Sequence, residues 1–162
     1  MSVKTIIQSL ERLIRFHKDL LDISEQKTVL IKDGSIEALQ ALLVKESKEI
    51  RLLEQEEEKR QSEVEAWFQQ RKINQDATLT NMLEIITDAS EQKGLEETTI
   101  KLTEVITKLK QQEELNQSLL NQSIKFVQLT MGLMNPAMKE FNYGKQKQTA
   151  SALNRSVFDS QA

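Results

Sequence analysis

Three groups of side chains in this 162-residue chain have types that could do chemistry. His17, the single histidine, could serve as a base or a metal ligand. Either role needs partners, and the chain has no second histidine and no cysteine, so His17 reads as a packed or boundary residue. Glu54, Glu56, Glu57, Glu58, Glu63 and Glu65 carry enough negative charge to attract a cation. They lack the glycine turn and alternating Asp/Asn of a calcium loop, and Lys59 and Arg60 interrupt them. They read as a solvated helix face. The adjacent aromatics Trp67 and Phe68 could form a binding platform, but they read more simply as a core contact at a bundle end. There is no glycine-rich phosphate loop and no nucleophile–base pairing. The expectation is a protein that is not an enzyme and has no metal and no cofactor.

The elements that carry these residues follow from composition. Four glycines and one proline are too few for the turns of a sandwich or an α/β fold, so the class is all-α. Aromatics make up 4% and charged residues 29%, which favours long helices burying a Leu/Ile seam over a thick compact core. The net charge of −3 argues against non-specific nucleic-acid binding. Met1-Ser2-Val3-Lys4-Thr5 has no basic region before an apolar block. No stretch approaches the roughly 18 apolar residues of a membrane span. A soluble, cytoplasmic protein is expected.

The apolar spacing predicts helices over 2–31, 35–72, 79–89 and 95–134. In the first, Ile6, Leu10, Leu13, Ile14, Leu20, Leu21 and Ile31 form one stripe, with His17 and Ser24 filling it. Lys32-Asp33-Gly34-Ser35 is a turn, with Asp33 or Ser35 able to cap the second helix. That helix carries Ile36, Leu39, Leu42, Leu43, Ile50, Leu53, Val64, Trp67 and Phe68. A break is expected over Ser90 to Gly94. The last helix has a heptad seam running from Leu95 through Leu102, Val105, Leu109, Gln112, Asn116, Leu119, Ser123, Phe126 and Thr130 to Leu133. The expected architecture is an elongated antiparallel bundle, a coiled-coil hairpin of three long helices plus one short one. Residues 1–134 form the helical domain. Residues 135–162, rich in Gln, Ser, Thr and Asn, form a disordered, flexible polar tail.

Residues 116–133 are the most informative. Leu119, Leu120, Phe126, Val127 and Leu133 make an apolar face wider than one seam, while Asn116, Ser123 and Thr130 place small polar residues within it. Such polar layers can fix the register of the protein's own bundle. They can equally mark a face that receives a partner helix. Both readings stand at this point.

The chain resembles the FlgN family, cytoplasmic export chaperones of the bacterial flagellum. The resemblance rests on a long amphipathic helix leading into Ile31-Lys32-Asp33-Gly34-Ser35-Ile36-Glu37-Ala38-Leu39. It rests also on the Leu52-Leu53-Glu54 to Arg60 stretch, on Asn116-Gln117-x-Leu-Leu followed by Ser123-x-x-Phe126-Val127, and on Tyr143-Gly144 before a polar tail. It covers about residues 1 to 145. It implies a chaperone that binds the C-terminal helical regions of the hook–filament junction proteins FlgK and FlgL, prevents premature assembly and aids delivery to the export gate. It also implies partner binding in the C-terminal part of the chaperone. Export gate or ATPase components and self-association complete the expected contacts. The alternatives are a flagellar chaperone for a filament or cap protein, and a generic coiled-coil scaffold or adaptor.

Overall fold

The computed structural model describes residues 2–134. The segment 135–162, expected to be a flexible tail, lies outside the described residues. Within them the elements are all helical: Val3–Asp33 (α1), Ile36–Gln70 (α2), Leu79–Ile85 (α3) and Ala89–Met134 (α4). The expected all-α class and its three long helices plus one short helix are what the structure shows. By packing, the chain divides into two units, Met1–Leu119 and Leu120–Ala162, with the boundary inside α4.

In the first unit, α1 starts at Ser2, whose hydroxyl accepts from the Thr5 amide at 3.2 Å. It ends at Gly34, which takes a left-handed φ of 68°. The Gly34 and Ser35 amides donate back to the Ile31 and Leu30 carbonyls, so the chain reverses through a Schellman turn. Ser35 opens α2 without a side-chain cap bond. The chain leaves α2 the same way, through Lys72 at φ 53°, whose amide reaches Gln69 while Ile73 reaches Phe68. The pairs Ser9–Glu63, Arg12–Glu56 and Lys27–Glu46 set α1 and α2 antiparallel.

One expected break is absent. Gly94 lies inside α4, which begins at Ala89 because Asp88 caps it. The Asp88 carboxylate accepts from the Ser90 and Glu91 amides, each at 2.9 Å. The preceding helix accordingly stops at Ile85 rather than near residue 89. A Cβ at Gly94 would sit 3.3 Å from Ile7 Cδ1, so glycine there allows close approach of α4 to α1. Gly94 lies beside Ile7 and Asn116 beside Thr28, so in this unit α4 runs parallel to α1.

The apolar core gathers where four elements meet. Val3, Ile6, Leu10 and Leu13 of α1 pack with Val64, Trp67 and Phe68 of α2, with Met82 and Ile86 around α3, and with Leu95 of α4. Trp67 and Phe68 meet edge-on with ring centroids 5.1 Å apart, and the Arg71 guanidinium lies 4.1 Å from the Trp67 ring. Away from this core, α2 departs from its expected seam. Leu42 is buried, but Ile36, Leu43 and Ile50 are exposed, because the face of α2 turned to α1 carries Leu42 and Glu46 instead.

Candidate partner-binding face

The polar seam of α4 has two fates along one helix. Asn116 is buried, and its side chain is used within the first unit. Its Nδ2 donates to the Ser24 carbonyl at 2.8 Å and to Ser24 Oγ at 3.0 Å. Its Oδ1 faces the Thr28 hydroxyl, which also lies 3.1 Å from the Ser24 carbonyl and accepts from Gln112 Nε2 at 2.6 Å. Both ends of the amide are engaged. One turn away, the Lys27 ammonium joins three helices, at 2.5 Å from Glu46 of α2 and 2.8 Å from Glu113 of α4. Burial pushes the Lys27 pKa down, but the two carboxylates outweigh it, and the net shift is upward from 10.5.

The second unit offers a different surface. No residue of α4 beyond Asn116 is buried. Phe126 is 70% exposed, Val127 53%, Leu129 64% and Leu133 74%, with Ile124 and Met134 also open to solvent. Three seven-residue rows run along this stretch: Leu119–Phe126–Leu133, Leu120–Val127–Met134, and between them Ser123–Thr130, which continues the register of Asn116. The Thr130 hydroxyl donates to the Phe126 carbonyl at 2.9 Å, so its proton is held by the helix itself.

The residues expected at the partner face therefore separate. Phe126, Val127, Leu133 and Ser123 are exposed; Leu119, Leu120 and Thr130 are half-buried; Asn116 is enclosed by α1 and presents nothing outward. The other candidates have local roles. His17 Nδ1 donates to the Leu13 carbonyl at 2.8 Å and is half-buried. The acidic run is not wholly solvated. Glu63 is buried and accepts from Ser9 Oγ at 2.5 Å, and Glu56 pairs with Arg12 at 2.7 Å. The Arg12 guanidinium also donates to Ser9 Oγ, so this network crosses from α1 to α2. Sequence reasoning missed it, and missed the Lys27 bridge; the only trace was polar residues placed on otherwise apolar stripes. Among the described residues, no group of three His, Cys, Asp or Glu could hold a metal ion. None of the described helices is long and apolar enough to cross a membrane.

The family model described as FlgN protein matches residues 1–151. A Bacillus subtilis (strain 168) protein described as "Uncharacterized protein YvyG" is 31% identical over 164 residues, covering 100% of both chains. No solved structure matches the chain. With the family model spanning nearly all of its length, this chain belongs to the FlgN family of flagellar export chaperones.

Proposed function

We propose that the chain binds the C-terminal helical regions of the hook–filament junction proteins FlgK and FlgL in the cytoplasm. It keeps them from assembling early and passes them to the export gate or its ATPase components. Family membership supports the chaperone role. The observation that carries the binding reading is the exposed apolar stretch of α4 from Ile124 to Met134, with half-buried Leu119 and Leu120 leading into it. Leu119, Leu120, Phe126, Val127 and Leu133 are its anchors, and Ser123 and Thr130 set the register of the incoming helix. Asn116 acts one step removed, by fixing α4 against α1.

Assembly helices of an export substrate are apolar and self-associate when exposed. Covering them removes that surface from water, at roughly 1.5–3 kcal/mol for each large side chain fully buried. Ordering a flexible partner offsets much of this gain, so the complex can release its cargo. No nucleotide is needed for holding. The test is co-purification of the full chain with FlgK, FlgL, the filament protein and the cap protein, each expressed separately. Selective retention of FlgK and FlgL is expected. Retention of only the filament or cap protein would reassign the substrate, and retention of none would remove the reading.

A further inference from the structure

Within the first unit, the contact of α4 with α1 changes from apolar to polar along its length. Leu95 sits in the core, and Thr98 and Val105 are buried after it. From Ile106 to Leu119 one residue is buried, and it is Asn116. Hydrogen bonds and an ion pair from this stretch to α1 gather at Gln112, Glu113 and Asn116. Their partners are Thr28, Lys27 and Ser24. Water solvates all of these groups well, so the contact separates at lower cost than an apolar one of equal size.

The helix changes character at the same place. Seven of the ten residues from Thr98 to Thr107 are threonine, valine or isoleucine, which are weak helix formers. The hydroxyls of Thr98, Thr99, Thr103 and Thr107 donate to the carbonyls of Gly94, Leu95, Thr99 and Thr103 at 2.7 to 3.0 Å. Such bonding back along a helix favours bending. From Lys108 to Leu119 every residue except Asn116 and Ser118 is Lys, Leu, Gln or Glu. Extending a helix already nucleated, that sequence keeps its form without a neighbour. A polar layer that only fixed register would need no weak stretch beside it.

We infer that α4 is hinged, with a pivot at residues 98–107 and a polar latch at 112–116, so that residues 108–119 swing off α1 as an intact helix while the apolar core stays packed. The swing uncovers Ser24 and Thr28, whose side chains are buried in the docked state. This motion belongs to the first unit and does not rest on the chaperone reading.

The chain has no cysteine, so a single introduced thiol reports on one place. Ser24→Cys and Ser9→Cys are made separately in the full chain. Both serines lie on α1 and are fully buried, Ser24 against Asn116 and Ser9 against Glu63. Modification by DTNB is timed in urea concentrations below the unfolding transition. Ser24→Cys should react at least about 100-fold faster than Ser9→Cys, at a rate nearly flat in urea, because the opening exposes little surface. Adding Asn116→Ala should speed Ser24→Cys at least about tenfold. A rate no faster than that of Ser9→Cys, or an equally steep urea dependence, means that α4 leaves α1 only on global unfolding and overturns the inference. Spin labels at exposed Gln26→Cys and Lys110→Cys read the motion without a thiol in the latch. Removing the latch with Gln112→Ala, Glu113→Ala and Asn116→Ala should add a longer, discrete distance between them. A single unchanged distance, or the broad spread of a melted helix, overturns the inference.

Discussion

Asn116 and Thr130 occupy the same row of the same helix, two heptads apart, and their surroundings differ completely. Asn116 is enclosed, with its amide divided among Ser24 and Thr28. Thr130 turns its proton back to its own helix, among exposed Phe126, Val127 and Leu133. A heptad seam with small polar layers thus means a finished internal contact in one stretch and an open face in the next. Stability and binding should accordingly depend on different parts of α4. Substitutions at buried positions within residues 2–119 should lower stability, and substitutions within 120–134 should leave it nearly unchanged.

The largest loss of stability should come from the apolar core. Trp67→Ala removes a ring packed on Phe68 and Arg71 and is expected to cost about 3–5 kcal/mol, read from urea denaturation. Next is the pair that tests the comparison itself. Asn116→Ala strands the Ser24 and Thr28 groups it satisfies and should cost about 2 kcal/mol. Ser123→Ala, one heptad on and exposed, should stay within about 0.5 kcal/mol. Equal effects at the two positions would break the distinction.

Gly34→Val follows. A Cβ at Gly34 has open space, with nothing within 4 Å, so only its positive φ resists the change. The expected cost is about 1–2 kcal/mol, seen as a lower Tm. The smallest effect is in the pH dependence. The Lys27 pKa is raised in the folded protein, so its pairing with Glu46 and Glu113 contributes fully below 10.5 and is lost as pH rises through the folded value. Wild-type stability should therefore fall above pH 10.5, and Lys27→Met should lack that part of the decline. Superimposable curves would show that the bridge contributes nothing.

How much of this was legible in the sequence depends on whether a feature is local. The Gly34 turn was, since a left-handed helix end writes itself in one residue. The Trp67–Phe68 core contact was legible from residue type and stripe. The start of α4 was misjudged because Gly94 outweighed the cap carried by Asp88, although a glycine inside a helix costs only about 1 kcal/mol. The Ser9–Glu63 and Lys27–Glu113 contacts were not legible at all. Each joins residues far apart in sequence, 54 positions in the first case, and depends on which helix faces which. The candidate face was legible as a width of apolar residues. Which polar layer belonged to the fold was not, since Asn116 and Ser123 carry the same heptad signature until Ser24 and Thr28 are known to lie opposite only one of them.

The central claim is that α4 beyond Leu119 binds a partner and does not hold the fold together. The most direct test is the double substitution Phe126→Glu with Val127→Glu in the full chain, with helicity and junction-protein binding measured on one sample. Both side chains are more than half exposed, so helicity and Tm should match the wild type while binding to FlgK and FlgL is lost. Binding retained at wild-type affinity, or helicity lost together with binding, would contradict it.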